Sequence, residues 1–262
     1  MRKKIAFSLI IFLVIAGATV RFVEPASAAA TGVIQNESVW IDSIGRLHIF
    51  GEVRNTGDSW LRFIGVTGTL YDSGGTVVDV IFTFTELGYL APNMITPFDL
   101  VELDLAKSSR VQRYSLVLEY SGTSAFPVKL KIVNVGNSTN SLGWLEVAGE
   151  VENDGDSTSN ETKVIGTFYD NAGKVVYVAS TLTSPSKIPS GAKYGFKMIV
   201  TDEELTRKVT RYSIAAESEE YTSVPELSWS LALFIVTLSL MIFAIRKCTP
   251  LKQAISTRSL VH

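Results

Sequence analysis

Few side chains in this 262-residue sequence could do chemistry, and those few are scattered. Histidine occurs twice, at His48 and His262, and cysteine once, at Cys248. A serine or cysteine nucleophile needs a base within hydrogen-bond reach, and zinc needs three or four ligands drawn mostly from histidine and cysteine. Neither set can be assembled here. The carboxylate pairs at Glu203 and Glu204 and at Glu219 and Glu220 lack an aromatic or cleft context and read as surface charge. No glycine-rich loop leads into a helix to cradle a phosphate. The sequence therefore predicts no catalytic residue and no cofactor.

Binding chemistry is better represented. Glu152, Asp154, Asp156 and Glu161 set oxygen ligands at near-alternate positions, a spacing that suits calcium, although a solvated turn explains the same run. Asn36, Asn137 and Asn160 each begin an N-x-[ST] triplet and are candidate glycosylation sites in an exported chain. Trp60 lies in a segment with basic neighbours and a second aromatic, Phe63. A large aromatic at a loop tip is a common binding anchor, which makes Trp60 the candidate contact residue.

The elements that must carry these residues are organised by an internal repeat. Gly51-Glu-Val-Arg-Asn-Thr-Gly-Asp-Ser59 aligns with Gly149-Glu-Val-Glu-Asn-Asp-Gly-Asp-Ser157 at an offset of 98 residues. Over Gly51 to Val80 the ungapped match holds 16 identities in 30 positions, which chance does not produce. The chain is read as two copies of one domain, residues 31–122 and 126–222. Within each copy Leu47, Ile49, Gly51 and Val53, or Leu145, Val147, Gly149 and Val151, alternate with a mostly polar set. Period two with one polar side marks a half-buried antiparallel strand, so His48, whose counterpart is Glu146, is expected on a solvated face. Asn55 and Asn153 end these strands, and Asp72 and Asp170 open hairpin turns that close on Gly75 and Gly173. Further strands are expected near residues 76–85, 97–105 and 110–120, with one short helical turn at 202–208. Many short strands between turn signals predict an all-β fold of two tandem antiparallel β-sandwiches, separable from each other.

At the Gly-Glu-Val-x-Asn strand, the Tyr-Asp-x-x-Gly hairpin and the apolar strands after Pro92 and Pro189, the chain resembles the FxLYD domain family. Gly68 and Gly166 stand where that motif has its first Phe, and Phe168 where it has Leu. The resemblance implies small Ig-like sandwiches on prokaryotic secreted or surface proteins, and it implies no shared catalytic residues.

The two ends address the domains. Arg2, Lys3 and Lys4, an uncharged stretch from Ile5 to Val20 and an Ala26-x-Ala28 site read as a signal peptide over residues 1–28. Leu227 to Ile245 is nineteen residues without a charge, about 28 Å as a helix, and matches one membrane span. Arg246, Lys247, Lys252 and Arg258 beyond it place the 246–262 tail in the cytoplasm and the domains outside. Val224-Pro225-Glu226 resembles the Pro-Glu-Phe type of archaeal sorting segment, with Leu227 in the place of Phe. Between Ala29 and Glu226 there are 16 Lys and Arg against 25 Asp and Glu, a charge of −9 that excludes a nucleic-acid partner. These features predict a single-pass cell-membrane protein with a surface protein or glycan as partner. It would serve binding, adhesion or spacing, or alternatively act as the accessory ectodomain of a membrane complex.

Overall fold

A computed structural model describes residues 30–227; the expected signal peptide, the tail and all but the first residue of the expected span lie outside these. The first repeat runs β1 (Gly32–Ile41), β2 (Leu47–Asn55), β3 (Trp60–Tyr71), β4 (Val77–Phe84), β5 (Tyr89–Leu90), β6 (Ile95–Glu102), α1 (Leu105–Ser108) and β7 (Arg113–Thr123). The second runs β8 (Val128–Thr139), β9 (Leu145–Asn153), β10 (Lys163–Tyr169), β11 (Val175–Leu182), β12 (Lys193–Val200), α2 (Glu203–Lys208) and β13 (Arg211–Glu217). β14 (Thr222–Ser223) and β15 (Glu226–Leu227) follow. The fold is all-β, and among the described residues no helix is long and apolar enough to cross a membrane. Leu227, the first residue of the expected span, pairs with Ser213.

In the first repeat β1, β2 and β6 form one antiparallel sheet, and β4, β3 and β7 form the other, with β5 against β3. The second repeat pairs β8, β9 and β12, and separately β11, β10 and β13, in the same order. There β14 lies antiparallel to β13 and parallel to β8, which joins the two sheets. Each repeat encloses its own core. Leu47, Ile49, Val53, Val66, Leu70 and Phe98 are buried in the first, and Val147, Val151, Val164, Phe168 and Phe196 in the second. The residues expected inward are those found inward.

Local chemistry explains why both copies fold alike. Each Asn at the end of the Gly-Glu-Val strand is fully buried. The Asn55 amide nitrogen donates to the carbonyls of Ser59 (2.8 Å) and Leu90 (2.9 Å), and its oxygen accepts from the Gly57 N–H at 3.0 Å. Asn153 repeats this with Ser157, Ile188 and Gly155. One side chain thus ties a strand end, a loop and β5 or its counterpart together. Asp72 and Asp170 accept two backbone N–H groups each and hold the hairpins as expected. The glycine of the motif has a packing cause: a Cβ at Gly51 would stand 2.5 Å from the Phe98 ring, and one at Gly149 would stand 2.9 Å from Phe196. Backbone detail follows the same repeat. Asn36 and Asn134 (φ 59° and 55°), Phe63 and Glu161 (51° and 47°), and Gly75 and Gly173 (83° and 81°) share positive φ at an offset of 98.

β1 and β8 were not legible as strands in the sequence. The positive φ of Asn36 and Asn134 accompanies a register shift between Gln35 and Ser38, and between Val133 and Gly136. Such a bulge interrupts the period-two pattern by which strands are recognised. α1 was missed for its brevity, whereas α2 forms where the short turn was expected, capped by Asp202.

The expectation of a solvated second face on β2 is corrected. Phe50 and Glu52 point outward from the first core and are buried against β10 and β11, where Phe50 packs with Tyr169 and Val175. The Tyr169 hydroxyl donates to Glu52 Oε2 at 2.8 Å, and the amides of Gln35 and Asn36 donate to Oε1 at 2.7 Å. Leu87 fills a second contact with Ile165 and Ala215. Glu217 accepts the backbone N–H groups of Gly88 and Tyr89 at 2.8 and 3.1 Å, and the Tyr89 ring stacks on Phe126, 4.0 Å away in the connector. Alternation assigns residues to two faces of a sheet; it says nothing about what covers the second.

Asn153→Ala should lower unfolding stability by roughly 2–3 kcal/mol, because three backbone groups lose their buried partner at once. Denaturant titration checks this. The interface in turn predicts that Phe50→Ala lowers the stability of both repeats together, by about 3 kcal/mol. Hydrogen exchange resolved by repeat reads that coupling.

Candidate binding face

His48 is half-buried between two carboxylates. Its Nδ1 lies 3.0 Å from both oxygens of Asp99, and its Nε2 lies 3.6 Å from Asp42, with the ring stacked on Phe50 at 5.4 Å. Burial pulls the imidazole pKa down, but the hydrogen bond and charge of Asp99, and then those of Asp42, outweigh it and hold the pKa above 6.5. The expected solvated position is thereby corrected: His48 is held between two carboxylates at the edge of the repeat interface. Burial, with Glu52 alongside, drives the Tyr169 phenol far above its ordinary range and keeps it a neutral donor.

The calcium candidates are not drawn together. Asp154 faces Lys131 at 2.9 Å, Glu152 faces Lys193 at 3.6 Å, and Asp156 and Glu161 are exposed. Among the described residues no three His, Cys, Asp or Glu side chains converge as a metal site. Of the glycosylation candidates, Asn137 is exposed on β8, and its amide reaches the Tyr212 hydroxyl at 3.2 Å. The Asn160 amide donates to Glu220 at 2.6 Å, and Asn36 is committed to Glu52. Trp60 is the first residue of β3 rather than a loop tip, half-buried and paired with Thr123.

The aromatic side chains that do meet solvent lie elsewhere on the same sheet. Its outer face is a grid of four rows read across β4, β3 and β7: Phe84, Gly65, Glu119; Phe82, Thr67, Val117; Val80, Thr69, Ser115; and Val77, Tyr71, Arg113. Phe82, Phe84, Val80, Val77 and Val117 are each more than half exposed, between 51% and 59%. The Phe82 and Phe84 rings meet edge to face, with centroids 4.9 Å apart. Phe82 lies over Gly65, where a Cβ would come within 2.6 Å of the ring. The strip continues past Phe84 to the bulge residue Phe63, 62% exposed, with the Arg62 guanidinium 4.7 Å from its ring centroid. Between Phe63, Phe84, Leu87 and Tyr89 opens a cavity of about 350 Å³ with mostly apolar walls. Contiguous exposed apolar area of this kind marks an interaction surface. The signal in the sequence was β4 itself, Val77-Val-Asp-Val-Ile-Phe-Thr-Phe84, apolar at six of its eight positions and so a strand with more apolar side chains than one face holds.

The same grid recurs on the second repeat as Leu182, Lys163, Glu217; Ser180, Ile165, Ala215; Val178, Thr167, Ser213; and Val175, Tyr169, Arg211. That copy is the surface onto which the first repeat docks. One face is covered; among the described residues, nothing covers its equivalent.

No protein-family model matches the chain, and no curated protein does. Among solved structures, red sea bream transglutaminase matches with a TM-score of 0.28 and 8% identity, over 74% of this chain and 31% of that one. The exo-β-D-glucosaminidase CsxA matches with a TM-score of 0.25 and 9% identity, over 74% and 26%. The chain thus spans less than a third of the length of either. Similarity at this level carries no functional information.

A histidine whose folded pKa is raised contributes stability that is complete below 6.5 and is lost as pH rises through the folded value. Thermal stability should therefore fall as pH rises above 6.5, and His48→Gln should flatten that decline. Melting curves across the range check the sign.

Proposed function

We propose that the chain is a non-enzymatic, single-span cell-surface protein whose two FxLYD-type, Ig-like domains act as a binding module. The exported segment carries the domains, the C-terminal apolar run anchors them, and the acidic surface keeps them clear of nucleic acid. The observation that carries the reading is the open apolar grid of Phe82, Phe84, Val80 and Val117 on the first repeat. Phe82 and Phe84 are large, rigid and adjacent, the kind of side chains that anchor protein interfaces. A passive spacer would gain nothing from exposing them. The junction between the repeats supports the same conclusion: buried through Phe50, Tyr169 and Leu87, it holds the face at a fixed angle to the second repeat instead of letting it swing on a stalk.

The test compares the wild-type chain with a Phe82→Ser, Phe84→Ser variant. Both should be removed from intact cells by external protease, which reads the topology. Pull-down in mild detergent should recover a defined protein with the wild type, and at least tenfold less of it with the variant. The variant should melt within about 1 °C of the wild type, because surface substitutions cost little stability. Protection of the domains from protease, or equal recovery by both chains, would overturn the reading.

A further inference from the structure

We propose that the occupant of the open face is the same face of a second copy of this chain, packed on it through a two-fold axis; the inference rests on the binding-face reading above. The covered face on the second repeat shows what such a grid accepts, since another sheet lies on it with Phe50 as the anchor. Head-to-tail growth is blocked by composition. The outer side of β9 and β12, which would have to play the part of β2 and β6, has Ala148 in place of Phe50 and Lys197 in place of Asp99. It also carries Glu146, Glu152 and Lys193, already engaged in ion pairs. A charged, anchorless surface of this kind does not cover Phe82 and Phe84.

The open face is instead complementary to itself. A two-fold axis lying between two such sheets, perpendicular to the strands, sets each strand antiparallel to its own copy and exchanges the first row of the grid with the fourth and the second with the third. Phe84 then meets Val77, and Phe82 meets Val80, so the whole β4 column closes apolar on apolar. Along β3, Thr67 meets Thr69, and Tyr71 meets the Phe82 ring that roofs Gly65. Along β7, Glu119 meets Arg113, an ion pair formed twice by symmetry. Neither has an ion-pair partner among the described residues; the Arg113 guanidinium lies over the Tyr71 ring, at 4.9 Å, beside Gly75. Had the charges at the two ends of β7 been of one sign, the same axis would have set like against like. An isologous contact of this type closes at two copies and leaves no open end, and aligned sheets pack in this way at about 10 Å separation.

The experiment measures the mass of the full-length chain in mild detergent, by light scattering across a dilution series. The wild type should be a dimer at micromolar concentration, and Phe82→Ser with Phe84→Ser should weaken the dimer at least tenfold. Arg113→Glu should weaken it at least fivefold, and adding Glu119→Arg to Arg113→Glu should restore it. A dimer unchanged by the phenylalanine substitutions would show that the copies meet elsewhere and would overturn the proposal. Failure of the second charge reversal to rescue the first would overturn the two-fold register. A monomeric wild type that still loses a captured protein of different sequence on Phe82→Ser and Phe84→Ser would overturn self-pairing while leaving the binding face intact.

Discussion

A β-sheet has two faces, and a sandwich buries only one of each. The structure turns on how the second faces are dealt with, and the decisive contact is the docking of the outer side of β2 onto β10 and β11. Phe50 supplies the apolar burial, and Glu52 supplies the direction, held by the Tyr169 hydroxyl on one oxygen and by Gln35 and Asn36 on the other. A buried carboxylate without these three donors would be strongly unfavourable. The β1 bulge at Asn36, the pairing of β1 with β2 and the position of β10 are therefore all constrained by one side chain. His48 extends the same surface outward, sitting on Phe50 and clamped between Asp99 and Asp42.

Duplication makes the faces comparable position by position, and divergence between the copies then reads as function. Where the second repeat has Ile165, Val175 and Ala215 under cover, the first has Thr67, Val77 and Val117 in the open, with Phe82 and Phe84 added where the other has Ser180 and Leu182. Packing within either sandwich does not call for those two phenylalanines, since the second core closes without them. On the opposite sheet the trend reverses: the second repeat has Ala148 where the first has Phe50, and Lys193 and Lys197 where the first has Ile95 and Asp99. The pair of repeats is thus finished at one end by charge and left with an apolar surface at the other.

The Asn-centred knots at Asn55 and Asn153 give this arrangement its local stiffness. Each ties down the loop that leads into β3 or β10, next to the positive-φ residues Phe63 and Glu161. The same backbone conformation carries an aromatic in the first repeat and a carboxylate in the second. The scaffold is shared, and the surface chemistry is not.

The sequence by itself determined the all-β class, the duplication, the inward residues of β2 and β9, and the turns built on Asp72 and Asp170. These follow from period-two alternation and short-range hydrogen bonding, and both are properties of neighbours along the chain. It missed β1 and β8 because a bulge breaks the period. Trp60 stood out over Phe82 and Phe84 because a loop aromatic is conspicuous, whereas aromatic residues inside a strand look like core. The tertiary structure alone decided that Phe50 and Glu52 are buried, that His48 is clamped by Asp42 and Asp99, and that Phe82 and Phe84 face solvent. Alternation sorts side chains onto two faces, but whether a face is covered depends on a surface more than a hundred residues away, and only folding brings Tyr169 to Glu52.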